Sequence, residues 1–295
     1  MTDYLVTHAT TYSYDEDVTD SLGIAHVVPR SLPWQTVSSV SVEVSPTPGD
    51  QTQDVDYYGN TLTYFQVTSP HKTLVVTAVS SVDVTAPSYD AVAGSVPWED
   101  CRPLVNPGLP EAWLAVDSVL ESPLVVHTPE AAAYGELSLT PGRSLIDAAV
   151  DLMHRIHHDF DYDKTATSVT TGVAEIFAAR GGVCQDFAHL MLACLRSHGL
   201  AARYVSGYLA TTPPPGKPRL VGADASHAWV AVWIPGSPSW LMLDPTNDQL
   251  VDDRYVTVAW GRDYADVPPV KGVIFTEAKK STLQVSVDVA PALSR

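Results

Sequence analysis

Cys184, His227 and Asp244 are the residues of this 295-residue chain whose types and spacing could carry nucleophilic chemistry. Cys184 follows Gly181-Gly182-Val183 and leads into a dense apolar run, with apolar residues at 187, 188, 190, 191, 192, 194 and 195. That density exceeds one amphipathic face and predicts a helix buried on most sides. Gly199 fits the position just past the helix end, with Arg196 and His198 in the last turn. The cysteine then stands at the helix N-terminus, where unpaired backbone N–H groups and the positive dipole end favour a thiolate. A thiolate attacks well, but it needs a base to receive and return the proton.

His227 and Asp244 supply that base and its support. Ser226 to Ile234 reads as a strand in which the histidine comes at the start. Pro235-Gly236-Ser237-Pro238-Ser239 is turn chemistry, and Trp240 to Asp244 is the returning strand. Both residues therefore reach the same edge of a hairpin, where the carboxylate could orient the imidazole and stabilise its charged form. The register has two solutions. A two-residue turn at Pro235-Gly236 sets His227 opposite Asp244, whereas a five-residue loop puts Asn247 there instead. Asp244 is carried forward as the third member.

Four ordered motifs now bear on the question: Gly-Gly-Val-Cys184-Gln-Asp-Phe-Ala, Ala202-Arg203-Tyr204-Val205-Ser206-Gly207-Tyr208, Ala225-Ser226-His227-Ala228-Trp229 and Leu243-Asp244-Pro245-Thr246-Asn247. Together they resemble the bacterial transglutaminase-like superfamily, whose members are often described as cysteine proteases. The resemblance is strong over roughly residues 140 to 270, and the first part of the chain resembles the β-rich N-terminal region of those proteins. It implies a papain-like α+β core, the nucleophile helix packed on an antiparallel sheet. It also implies Cys184 as nucleophile, His227 as general base and acid, and Asp244 as orienting residue. The family contains peptidases, amidases, transglutaminases and inactive members, so the resemblance fixes a site more closely than a reaction.

The elements that must position these residues are legible to different degrees. From Asp3 to about Pro87, strand-like stretches (4–14, 37–44, 61–67 and 72–84) alternate with Gly, Pro and Asn turns, which predicts an antiparallel sandwich-like region or half-barrel. Prolines from Pro87 to Pro129 mark a connector with short helices. The domains expected are 1–125, a β-rich region, and 126–295, the catalytic core with C-terminal strands. Ser144 caps a helix to about Phe160, with Asp147 in place of the usual capping-box Glu. Thr170 to Arg180 forms a second helix that delivers the chain to Gly181-Gly182, where the glycines make the turn. Ala202 to Leu209 is a strand, and Thr211 to Pro218 is a flap beside the cleft. Val270 to Val289 forms two more strands that close a sheet, with Leu283, Val285, Val287 and Val289 alternating.

Composition bounds the rest. A net charge of −17, from 17 basic and 34 acidic side chains, excludes nucleic acid as the expected partner and disfavours anionic membranes. The N-terminus lacks a signal-peptide pattern, and no apolar run is long enough to span a bilayer, so the default location is the cytoplasm. Three cysteines make no disulfide scaffold; Cys194 falls in the apolar stripe as a core residue, and Cys101 has no role assigned. His154, His157 and His158 share a helix but lack the Glu of a metalloprotease pattern, and no calcium loop is present, so neither metal nor other cofactor is expected. His189 points away from the thiol and reads as a core histidine, Asp186 as a cap of the nucleophile helix, and Trp229 and Trp233 as core. The Cys184 backbone N–H is expected in the oxyanion hole, with Tyr162 a candidate second donor and Gln185 turned elsewhere.

Three readings follow. The first is a hydrolase that cleaves an amide or peptide bond through a Cys184 thioester. The second is a transglutaminase, in which an amine resolves that thioester. The third is a non-catalytic binding module, against which the intact Cys, His and Asp count. Nothing in the sequence sets an oligomeric state.

Overall fold

The computed structural model describes residues 2–211 and 225–292. One long strand, β1 (Thr2–Ala25), organises the N-terminal region. It joins β2 (Gln35–Ser45), β3 (Asp50–Val55), β4 (Thr61–Val67) and β5 (His71–Val84) in an antiparallel sheet of order β2-β5-β1-β4-β3. In β5 every second residue from Leu74 to Val84 is buried, the period-two pattern of a strand with one face on a core. β1 pairs with β5 along Thr2–Ser13, breaks register before Val18, and pairs with β4 from Ser21. The irregularity bends the strand. Tyr14, Val18, Phe65, Val67, Leu74 and Val76 are buried together, so one sheet curls into the sandwich-like region.

The connector carries α1 (Ala112–Ala115) and leads to α2 (Pro129–Glu136), where the Thr128 hydroxyl accepts from the Ala131 N–H. α3 (Leu145–Asp159) starts as its sequence predicts: the Ser144 hydroxyl accepts from the Asp147 N–H and donates to the Asp147 carboxylate. β6 (Asp161–Tyr162), α4 (Val173–Ala179) and β7 (Gly181–Gly182) bring the chain to α5 (Cys184–Ser197). β8 (Ala202–Leu209), β9 (Ala225–Val232), β10 (Leu241–Asp244), β11 (Gln249–Leu250) and β12 (Tyr255–Gly261) form a second antiparallel sheet of order β11-β10-β9-β8-β12. Every residue of α5 from Gln185 to Arg196 is buried. The helix fills the space between that sheet and the other helices, which is why its apolar residues cover more than one face. Gly199 follows with a φ of 78°, the left-handed residue that ends the helix.

The last two strands, β13 (Val270–Thr276) and β14 (Ser281–Pro291), pair with β1 and not with the sheet that holds His227. They differ in this from the grouping read in the sequence, which kept them with residues 126–295. β1 has an open edge opposite β5, and β14 covers it from Tyr4 to Tyr14. Tyr4, Val6, Val84, Val287 and Val289 also share a hydrophobic cluster with α3 and α5, so the two regions bury one core between them. The proline-rich stretch 212–218, read as a flap, lies outside the described residues. No helix among the described residues is long and apolar enough to cross a membrane.

Candidate active site

Cys184 is the first residue of α5, so its backbone N–H is among those without an intrahelical acceptor. Asp186 completes the helix start: its Oδ2 accepts the Val183 N–H at 2.7 Å and the Thr167 hydroxyl at 2.5 Å. The turn into the helix is made by Arg180, with a φ of 53°, and not by the two glycines. The glycines answer to crowding. A Cβ on Gly181 would lie 2.9 Å from the Asp161 carbonyl oxygen, and one on Gly182 would lie 2.5 Å from the Asp186 carboxylate.

His227 lies on β9 opposite Gly207 of β8. The hairpin register falls between the two that the turn sequence allowed: Leu241 pairs with Val232 and Leu243 with Val230. Extended by one residue, that register sets Asp244 beside Trp229, a diagonal step from His227. A diagonal step of two residues keeps the same face, so the side chains still meet. His227 Nε2 donates to Asp244 Oδ2 at 2.7 Å, with the side chains 8% and 0% exposed. The alternative residue is present too. Asn247 Nδ2 donates to the same oxygen at 2.7 Å and lies 3.3 Å from His227 Nε2.

Asp244 is held on all sides. Its Oδ2 also accepts the Tyr255 hydroxyl at 2.7 Å, and its Oδ1 accepts the backbone N–H groups of Thr246 and Asn247 at 2.9 and 3.2 Å. Burial alone would raise its pKa; the bonds from His227, Asn247 and Tyr255 outweigh burial and hold the carboxyl below its ordinary value. Burial alone would likewise lower the imidazole. Asp244, together with a hydrogen bond and charge from Cys184, overturns it and pushes His227 up to about 10. The ring therefore stays protonated at neutral pH while bonded on both sides.

Behind Asp244 runs a chain that sequence reasoning did not assign. Gln249 Nε2 donates to the Tyr255 hydroxyl at 2.5 Å, and Arg254 donates to Gln249 Oε1 at 2.9 Å. Tyr255 stands on β12, three places from Asp244 of β10 in the sheet, and a hydroxyl reaching back from there gives no spacing signal. Around the thiol, Gln185 Nε2 donates to the Val169 carbonyl at 3.0 Å and so points away. Tyr162 is 53% exposed, and its pKa is raised by burial and by Cys184. Tyr204 lines the cleft beside Cys184, and its pKa is raised by burial and then by the same thiol.

The other predicted residues lie elsewhere. His189 is fully buried and accepts the Tyr264 N–H at 3.2 Å. His154 pairs with Asp248, and His157 Nδ1 donates to the Thr246 carbonyl at 3.0 Å. No group of three or more His, Cys, Asp or Glu is set to hold a metal among the described residues. Trp229 and Trp233 are core, as is Cys194.

Two family matches cover this architecture. Residues 4–83 match the bacterial transglutaminase-like N-terminal region, and residues 136–245, which include Cys184, His227 and Asp244, match the transglutaminase-like superfamily. The chain is also 48% identical to the uncharacterized Mycobacterium tuberculosis protein Rv2569c, over 98% of this chain and 92% of that one. The chain belongs to the transglutaminase-like superfamily. Its fold is shared, at 21% identity and a TM-score of 0.74, with the crystal structure of a candidate cysteine protease from Cytophaga hutchinsonii, over 100% of this chain and 92% of that one. A protein-glutamine gamma-glutamyltransferase of Pseudomonas aeruginosa is 37% identical over 99 residues, which are 32% of this chain and 15% of that one. The transglutaminase-like core is thus a cysteine-based enzyme fold, with the β-rich region of its bacterial members in front of it.

Proposed function

We propose that the protein is a cysteine-dependent hydrolase of an amide or peptide bond, with Cys184 as nucleophile, His227 as acid and base, and Asp244 as the residue that orients His227. The observation that carries this reading is the unbroken line from a buried, many-bonded Asp244 through His227 at 2.7 Å to a thiol at a helix N-terminus.

The steps balance as follows. The Cys184 thiolate attacks the carbonyl carbon, and its backbone N–H donates to the oxyanion. The C–N bond breaks as His227 gives its proton to the leaving amine, which leaves a Cys184 thioester. His227, now neutral, takes a proton from water. The hydroxide attacks the thioester carbonyl, the acid departs, and the thiolate–imidazolium pair is restored. Asp244 keeps the ring in place and its charge favourable throughout.

Transfer to an amine is the second reading, favoured by the likeness to the gamma-glutamyltransferase over the segment matched. It differs only in which nucleophile resolves the thioester. The test is to incubate wild type and Cys184→Ala with a glutamine-rich protein and a labelled primary amine. Peptide cleavage or ammonia release without label, lost in Cys184→Ala, supports hydrolysis. Incorporated label moves the assignment to transfer, and no turnover of amide substrates by wild type removes both.

A further inference from the structure

The wall of the cleft opposite Cys184 comes from the N-terminal sheet. β1 and β14 present a row of cross-strand pairs: Val6 with Val289, His8 with Val287, Thr10 with Val285 and Tyr12 with Leu283. Directly opposed residues of an antiparallel pair share a face. The first two pairs are closed off by the core. Val6, His8, Val287 and Val289 are each 1% exposed, and the His8 ring lies 5.5 Å from Tyr208 of β8. In the next two pairs Thr10 stays buried, its hydroxyl 2.8 Å from His8 Nε2, while the β14 residues open onto the cleft. Val285 is 46% and Leu283 58% exposed, and with Thr10 and Tyr12 they line the same cleft as Cys184 and His227. The Tyr12 hydroxyl donates to the Val270 carbonyl at 3.3 Å, which anchors this part of the wall.

The cleft has a volume of about 280 Å³, room for one or two side chains beside the scissile bond. No lysine, arginine, aspartate or glutamate lines it among the described residues. Among the described residues, a cationic side chain entering the cleft would shed water and meet no free carboxylate, since Asp244 is fully buried and already bonded. An aliphatic or aromatic side chain would instead cover two half-exposed aliphatic residues.

We infer that Thr10, Tyr12, Leu283 and Val285 form the specificity wall of the enzyme and that it selects an uncharged aliphatic or aromatic residue beside the carbonyl attacked by Cys184. The inference rests on the acyl-transfer reading above and gives the N-terminal sheet a part in substrate choice.

The test needs no known substrate. Cys184 alkylation rates are measured with iodoacetamide, N-benzyl iodoacetamide and iodoacetate, mapped by mass spectrometry, and divided by the rates for glutathione. Wild type is expected to favour the benzyl reagent over iodoacetamide by about tenfold, the equivalent of burying roughly two methylenes. Leu283→Thr with Val285→Thr places threonine, a good strand former, at both positions and is expected to return the ratio to the glutathione value; Leu5→Thr, at an exposed position of β1 outside the cleft lining, is expected to keep it. Val285→Thr alone serves if the double variant does not fold. A wild-type ratio equal to that of glutathione, or a ratio unmoved in folded variants, overturns the wall. Failure of the catalytic reading looks different: iodoacetamide labelling that ignores His227→Ala, whatever the benzyl ratio.

Discussion

His189 and His227 lie on the two elements that build the site, and burial acts on both in the same direction. His189, on α5, is fully buried, and its pKa is pushed down by burial, with Arg196 adding to the effect and Asp263 opposing it. His227, on β9, is pushed up to about 10 despite burial. Each ring has an aspartate nearby, and the difference lies in what that aspartate holds. The oxygens of Asp263 accept backbone N–H groups of Leu124 and Ala265, at 2.7 and 2.8 Å. Asp244 also takes two backbone N–H groups, but on Oδ1 alone, which leaves Oδ2 for His227. A carboxylate bonded to the ring, with Cys184 on its other side, outweighs burial at His227, whereas an aspartate whose oxygens take backbone N–H groups does not at His189.

The largest effects should come from breaking that arrangement. Cys184→Ala and His227→Ala are each expected to lower kcat/KM on an amide substrate by 10³-fold or more, on the order seen when members of such a unit are removed. Asp244→Asn should cost roughly 10²- to 10⁴-fold with the fold intact. In that variant the amide oxygen still accepts from the ring but carries no charge, so burial, which lowers the imidazole, is opposed by Cys184 alone and the ring is less readily protonated. Cys184 alkylation at pH 8 should then no longer differ between the Asp244→Asn protein and the same protein with His227→Ala added. A persistent difference would show that another group holds the charge.

The two histidines also set opposite pH limits. The raised pKa of His227 gives stability that is complete below about pH 6.5 and lost as pH rises towards about 10, because there the native state holds a proton that the unfolded chain has released. The lowered pKa of His189 gives stability that is present above about pH 6.5 and lost as pH falls, because the unfolded chain takes up a proton first. In Cys184→Ala, which removes the Cys184 share of the His227 shift and leaves that of Asp244, denaturant midpoints should still fall on both sides of neutrality. The slope is on the order of 1.4 kcal/mol per pH unit for each histidine. Asp244→Asn should flatten the alkaline limb and leave the acid limb, and the reverse result would sink the comparison.

What the sequence made legible follows the same division between local and distant partners. The α5 helix, its start at Cys184 and its end at Gly199 are written in neighbouring residues, as are the Ser144 cap and the β4 strand. β3 was missed because Asp50-Gln-Thr-Gln-Asp-Val55 is exposed on both faces and has no apolar alternation to read. β13 and β14 were recognised as strands, but their partner is β1, at the other end of the chain, and no local pattern names a partner. Type and order single out Cys184, His227 and Asp244, and the fold brings the three together. The turn left the hairpin register open between Asp244 and Asn247; the fold uses both, one as acceptor from the ring and one as its clamp. Tyr255 was passed over because its contribution is one hydroxyl aimed back from β12.

That hydroxyl gives the smallest expected effect and sharpens the comparison most finely. Tyr255→Phe keeps the ring, which packs against Trp229 at a centroid distance of 5.3 Å, and removes the hydroxyl that bonds Asp244 Oδ2 and Gln249. His227 and Asn247 still hold that oxygen, so Asp244 keeps its place, while Gln249 loses an acceptor. Stability should fall by about 1 kcal/mol, and kcat/KM by less than tenfold with KM unchanged. The alkaline limb of stability should persist, since the carboxylate remains beside the ring. If Tyr255→Phe instead loses that limb and approaches Asp244→Asn in activity, then a carboxylate at 2.7 Å is not enough by itself. The difference between His227 and His189 would then rest on the whole chain from Arg254 through Gln249 and Tyr255 to Asp244.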